Sequence, residues 1–379
     1  MRTDHRLSAL REYMKEEGIN VSVVMNPDHQ FYLTGFKALI YSRPIVLIVE
    51  EDQTRMIVPG LEEIHAKAVA LVDDILVYYE HPEMADKGTD FSEKIIQLLS
   101  VYTKDSTKVG IDLSFAAADL TNLIKNLGFE VADVGRKIVR MRYVKDHAEI
   151  NRIEEAGRLV NLAVSSTLAS CRAGVTEIQF DSVGTAALFS ETASKHPNAT
   201  LDMLVMSPSG TERTVMPHVF SNTRILQKGD TVIHTRQVVL NGYRAELERT
   251  VFIGEPSKQQ RKTFEVMRLA QETAMEFIKP GVTAKQVDKV ARYVIHKEGL
   301  GEYAIHRVGH GIGVSAHEEP YLRFDNDLVL EEGMVYTIEP GIYIPGLGGF
   351  RHSDTVVLTT GGNKLITEYP RDLDSLVFE

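Results

Sequence analysis

The sequence predicts an α/β (α+β) protein of two domains, the second built from a duplicated half. Three observations predict it. The first third of the 379-residue chain alternates helical and strand patterns. Gly174-Val175-Thr176-x-x-Gln179-x-Asp181-x-Val183 recurs as Gly281-Val282-Thr283-x-x-Gln286-x-Asp288-x-Val290. Between the copies, Thr231–Leu240 is rich in β-branched residues, Asn241-Gly242 is a hairpin turn signal, and Tyr243–Ile253 follows as a second strand.

In chain order, Leu7–Glu17 reads as a helix and Val21–Met25 as a strand, with Asn26-Pro27-Asp28 as a turn. Pro44–Glu50, Arg55–Val58, Ile75–Tyr79 and Lys108–Asp112 read as strands, and Leu61–Val72 and Phe91–Val101 as helices. Together they predict an N-terminal α/β domain over residues 1–135 with a mixed sheet. A linker is expected over 136–148, and the second domain over 149–379. Asp146 with Glu149 three residues later is a capping-box-like start. In both repeat copies Thr followed by Gln at the third place opens a helix, and a long helix precedes it, Glu149–Ser170 and Ser257–Ile278.

Composition narrows the function. Hydrophobic residues make up 43% of the chain, enough for sizeable cores. Lys+Arg 42 against Asp+Glu 53 leaves a net charge of -11, which disfavours nucleic acid or an anionic membrane as partner. The single cysteine, Cys171, excludes an internal disulfide and fits a reducing compartment. The N-terminal stretch is amphipathic without an apolar signal-peptide core, and no apolar run is long enough to span a bilayer. The expectation is a cytoplasmic protein.

Residues two apart on a strand share a face, so Glu246, Glu248 and Thr250 point one way. Two neighbouring carboxylates need a cation between them, a metal or a positively charged substrate. His310 stands between glycines in Gly309-His310-Gly311-Ile312-Gly313, which leaves its imidazole uncovered. His317 follows in His-Glu-Glu-Pro. Glu339 is a lone carboxylate in the apolar run Thr337–Tyr343, and a buried Glu needs a partner. Arg351-His352-Ser353-Asp354 lies on the last strand. There is no phosphate-binding loop and no Gly-x-Ser-x-Gly elbow.

These stretches resemble the creatinase/Xaa-Pro peptidase family, of the pita-bread, M24 type. The resemblance is carried by VRMRYVKDHAEI, the hairpin, GHGIG, HEEPYL, EEGMVYTIEPGIYIPGLGGFR and His218. It covers essentially the whole chain and implies a creatinase-type N-terminal domain followed by a pita-bread domain. In the family's peptidase branch Asp, Asp, His, Glu and Glu hold two divalent metals. Carried over, these fall on Thr235, Glu246, His310, Glu339 and Ser353. Two close dications need several carboxylates, so neutral Thr235 and Ser353 argue against a two-metal site. The expectation is no metal, with Glu246, His310 and Glu339 as the alternative ligands of one manganese or zinc ion.

Within the family the resemblance to metal-independent creatinase implies a C–N hydrolase of a small guanidino, amidino or amide acid. His218 then matches the catalytic base/acid, and Glu248 a carboxylate that binds a guanidinium, with Glu246 beside it. Arg323 and Arg43 match arginines that clamp the substrate carboxylate. Arg43 would reach over from the partner of a homodimer, with Tyr41 two residues before it in Tyr41-Ser42-Arg43. His352 takes the place of the second guanidinium-binding carboxylate. His310, Glu339 and His317 complete the expected catalytic group. The substrate would be a small zwitterion. An Xaa-Pro peptidase with at most one metal and an inactive pita-bread binding protein are the alternatives.

Overall fold

A computed structural model describes residues 4–39 and 42–379, in two compact units, Met1–Arg142 and Tyr143–Glu379. The division lies between Arg142 and Tyr143. Residues 136–141 are not a loose tether, because they continue a helix, Gly135–Met141.

The first unit runs α1 Asp4–Glu16, β1 Ile19–Val24, α2 Pro27–Thr34, β2 Val46–Glu50, β3 Thr54–Pro59, α3 Glu63–Val69, β4 Asp74–Tyr78, α4 Phe91–Leu99, β5 Lys108–Ile111, α5 Ala118–Asn126, β6 Glu130–Asp133 and α6 Gly135–Met141. Its sheet has the order β4-β3-β2-β1-β5-β6 and is mixed. Alternation along β2 sends Leu47 and Val49 into one core and Val46 and Ile48 into the other. One face is covered by α1 and α6, the other by α4 and α5. The Asn26-Pro27-Asp28 turn is in fact the start of α2. Asn26 caps it by accepting the Asp28 N–H at 2.9 Å, and Pro27 sits where no N–H is needed.

The second unit runs α7 His147–Leu168, α8 Glu177–Lys195, β7 Leu201–Met206, α9 Gly210–Arg213, β8 Thr231–Leu240, β9 Tyr243–Ile253, α10 Lys258–Phe277, α11 Ala284–Lys297, β10 Gly309–Gly311, β11 Glu318–Leu322, β12 Val335–Ile338, β13 Gly341–Ile344, β14 Gly348–Arg351, β15 Ser353–Thr359, β16 Gly362–Leu365 and β17 Val377–Phe378. The main sheet has the order β11-β10-β12-β15-β9-β8-β7. The hairpin turn holds Asn241 at φ 49 and Gly242 at φ 84, the left-handed pair that a two-residue turn requires.

The duplication is structural. Thr176 opens α8 with a capping box, its Oγ1 accepting the Gln179 N–H at 3.2 Å while Gln179 Oε1 accepts the Thr176 N–H at 2.9 Å. Gln286 accepts the Thr283 N–H at 2.8 Å in the same way at α11. Each Gly-Val-Thr segment is also clasped by a downstream loop. Gly174 N–H donates to Leu226 O and Gly281 N–H to Leu330 O, at 2.9 and 2.8 Å. On β9 the alternation divides two environments. Arg249 meets Asp354 at 3.0 Å, and Asp354 also accepts from Gln271 of α10, so this face is covered by helix. The opposite face carries Glu246 and Glu248.

Candidate active site

The site is built from rows across neighbouring strands. Thr235 on β8, Glu248 on β9 and Ser353 on β15 stand side by side, and Gln237 lies beside Glu246 in the next row. All are buried. Buried carboxylates must be met by donors. Ser353 Oγ donates to Glu246 Oε1 at 2.7 Å, and Gln237 Nε2 donates to Oε2 at 2.5 Å. Glu248 is gripped by the fork of Arg351, with Nε at 2.5 Å and Nη2 at 2.9 Å. Thr235 Oγ1 donates to Glu248 Oε1 at 2.8 Å. Arg351 also donates to Tyr343 Oη at 2.9 Å. Tyr343 Oη in turn lies 2.9 Å from His306 Nε2. His306 Nδ1 donates to Arg307 O at 2.7 Å, so Nε2 is bare and the Tyr343 hydroxyl is the donor between them.

His310 is fully buried on β10. Its Nδ1 donates to Gly311 O at 2.9 Å, which leaves Nε2 without a proton. That nitrogen has no hydrogen-bond partner among the described residues, yet faces Glu339 Oε1 at 3.3 Å. Burial lowers the His310 pKa to about 3, so the ring is neutral at neutral pH. Burial first, then the charges of Glu246 and Glu248, raise the Glu339 carboxyl well above the ordinary range. With Glu339 ionised, two acceptors face each other beside a second carboxylate, an arrangement that a bound cation resolves. One donor atom each from Glu246, His310 and Glu339 lie within 4.8 Å of one another.

A cleft of about 600 Å³ opens onto this group. His218, His306, Arg307, His317, Glu339 and Arg351 are among the residues that line it. The His317 ring stacks on His310, centroids 3.9 Å apart, and His317 Nδ1 accepts from Arg307 at 2.9 Å. His218 lies 6.5 Å from His317, centroid to centroid. Arg323 is at the cleft wall, half exposed, and holds Asp325 through two contacts of 2.6 Å.

The remaining sequence-predicted residues lie elsewhere. His352 takes no part in the cleft. Its ring packs edge-on against Phe264 at 5.2 Å and accepts the Thr250 N–H at 3.2 Å. Arg43, in the first unit, pairs with Glu80 at 2.5 Å on the surface. Tyr41 lies outside the described residues. The residues that sequence reasoning missed are Arg351, Tyr343, His306 and Arg307. Arg351 had a signal, since it stands two before Ser353 and strand alternation puts those two on one face. The other three arise from how the chain closes over the site.

The donor set answers which metal complement fits. The five-ligand, two-ion arrangement does not fit, because Thr235 and Ser353 are neutral and the Arg351 guanidinium is 3.2 Å from Thr235 Oγ1. A single ion does fit Glu246, His310 and Glu339, with the orphaned His310 nitrogen aimed at the group.

Residues 151–360 match the model of metallopeptidase family M24, and residues 6–144 match the creatinase/prolidase N-terminal domain. A putative dipeptidase of Bacillus subtilis (strain 168) is 33% identical over 373 residues, 97% of this chain and 99% of that protein. An Xaa-Pro dipeptidase of Lactobacillus helveticus is 34% identical over 372 residues, 97% of this chain and 98% of its own length. Among solved structures, a prolidase from Thermococcus sibiricus superposes with a TM-score of 0.86 at 27% identity, over 100% of both chains. The fold and site thus define a two-domain pita-bread hydrolase. This chain belongs to metallopeptidase family M24. No helix among the described residues is long and apolar enough to cross a membrane.

Proposed function

We propose that this protein is a dipeptidase-type peptidase that cleaves the amide bond before proline, using one divalent ion held by Glu246, His310 and Glu339. The observation that carries the reading is the bare, buried His310 Nε2 facing Glu339, with Glu246 completing a three-donor group. The names of the relatives support the substrate class. They favour this reading over creatinase-like guanidino chemistry and over a metal-free site. Glu248 speaks the same way. The carboxylate expected to receive a substrate guanidinium already holds the guanidinium of Arg351.

An ion at this place supplies Lewis acidity toward an amide carbonyl and an activated water. The chain's own residues do the rest. Ser353 and Gln237 fix Glu246 so that it cannot turn away. Gly311 O fixes the His310 tautomer. His218, which lines the cleft, is in this reading the group that delivers a proton to the leaving nitrogen. Arg323 offers a fork for the substrate carboxylate once that carboxylate displaces Asp325.

The test is hydrolysis of Leu-Pro and Ala-Pro by protein equilibrated with manganese or zinc, beside creatine and a chelated control. Turnover of the dipeptides that disappears with chelator is expected. His218→Ala should lower kcat by ~10²–10⁴ with little change in KM. Metal-independent turnover of creatine would overturn the reading. So would failure to cleave either dipeptide while still binding it, which is the behaviour of an inactive binding protein.

A further inference from the structure

The row Thr235–Glu248–Ser353 carries its one carboxylate at the centre and hydroxyls on both sides. The resemblance puts acidic metal ligands at the two outer places. The acid lost from the edges therefore stands between them, one strand away from each. Its charge is already answered. The Arg351 and Glu248 side chains are 4% and 2% exposed, and their contact is a two-pronged fork. The same guanidinium reaches Thr235 at 3.2 Å and Tyr343 at 2.9 Å. Nearby, Arg307 contacts His317 and lies over the Tyr321 ring, and among the described residues no carboxylate is its partner.

We infer that the Glu248–Arg351 ion pair is a built-in replacement for the second metal ion of the family, fixing the capacity of this site at one. This rests on the one-ion peptidase reading above. The charges agree. With a cation bound and all three carboxylates ionised, Glu246, Glu248 and Glu339 less the one guanidinium in contact with them, that of Arg351, leave two negative charges, which one dication balances. A second dication would stand against a fixed guanidinium with hydroxyls for ligands. Hydroxyls are weak ligands for hard cations unless a carboxylate accompanies them. The unpartnered His310 Nε2 marks which half of the site stays open to an ion.

The experiment is manganese stoichiometry by elemental analysis after equilibration and gel filtration, with electron paramagnetic resonance to separate isolated from paired ions. The wild type should hold one isolated ion per chain. The quadruple variant Thr235→Asp, Glu248→Thr, Arg351→Met, Ser353→Glu returns acids to the edges and removes both members of the pair, guanidinium included. It should hold two ions with an exchange-coupled signal. Arg351→Met leaves Glu248 uncompensated, and should bind manganese at least roughly tenfold more tightly, the effect of one unscreened charge close by. Two ions in the wild type would overturn the inference. So would one ion in a folded quadruple variant, or unchanged affinity in Arg351→Met. No ion in the wild type would overturn the peptidase reading along with it, so the two failures are distinguishable.

Discussion

At Glu339 a buried carboxyl stands 3.3 Å from a bare imidazole nitrogen, and neither group satisfies the other. A cation between them removes the conflict, and so does loss of the charge. Glu339→Gln keeps the shape and drops the charge. It should weaken divalent-ion binding by at least about 100-fold, while leaving the fold intact, as titration with manganese would show. His310 and Glu339 were legible in the sequence because each breaks its surroundings, a histidine among glycines and an acid in an apolar strand. Glu248 was legible as a carboxylate that wants a guanidinium, but not whose. Its partner is Arg351, 103 residues away along the chain. His352 misled because it sits between two residues of the site. Its ring turns toward Phe264 instead. Adjacency in sequence counted for less than the period of two.

The elements hold these residues through close backbone contacts that leave no spare room. Gly309 lies where a Cβ would come 2.0 Å from the Thr337 carbonyl, a backbone atom that cannot swing away. Gly309→Ala should push β10 off β12 and move His310 from Glu339. The expected cost is about 1–3 kcal/mol of stability, read by urea unfolding, with loss of metal affinity in the folded fraction. The glycines around His310 looked like a means of exposing the ring. The structure shows the reverse, since the ring is buried and Gly309 makes room for a neighbouring strand. The Gly-Val-Thr repeat was legible because capping boxes are local. The matching clasp by residues 226 and 330 was not, because it depends on loops that return from elsewhere. The start of α2 was misread for a related reason. Asn-Pro-Asp serves a turn or a helix cap equally well, and here the residues beyond Asp28 continue as helix to Thr34.

Across the whole molecule the two units each carry their own sheet, and the broad α/β reading came from hydrophobic periodicity. A shared property is the burial of neutral histidines. His306, His310 and His352 are each held at a pKa of about 3 by desolvation, below the ordinary 6.5. The neutral form is favoured in the fold, so full stability is present above pH 6.5 and is lost as pH falls toward 3. Each such group costs on the order of 2 kcal/mol by pH 5. Thermal unfolding should therefore show a drop in midpoint between pH 7 and pH 5. His352→Asn, whose Oδ1 can still accept the Thr250 N–H, should be less stable at pH 7 yet show a shallower drop. An equally steep drop in that variant would remove His352 from the acid response.

Metal stoichiometry speaks to the central claim most directly. Protein stripped with chelator, equilibrated with excess manganese and freed of unbound ion should retain one ion per chain, held by Glu246, His310 and Glu339. Two ions would contradict the role given to Glu248 and Arg351. Retention of none would contradict the metallopeptidase account of the site itself.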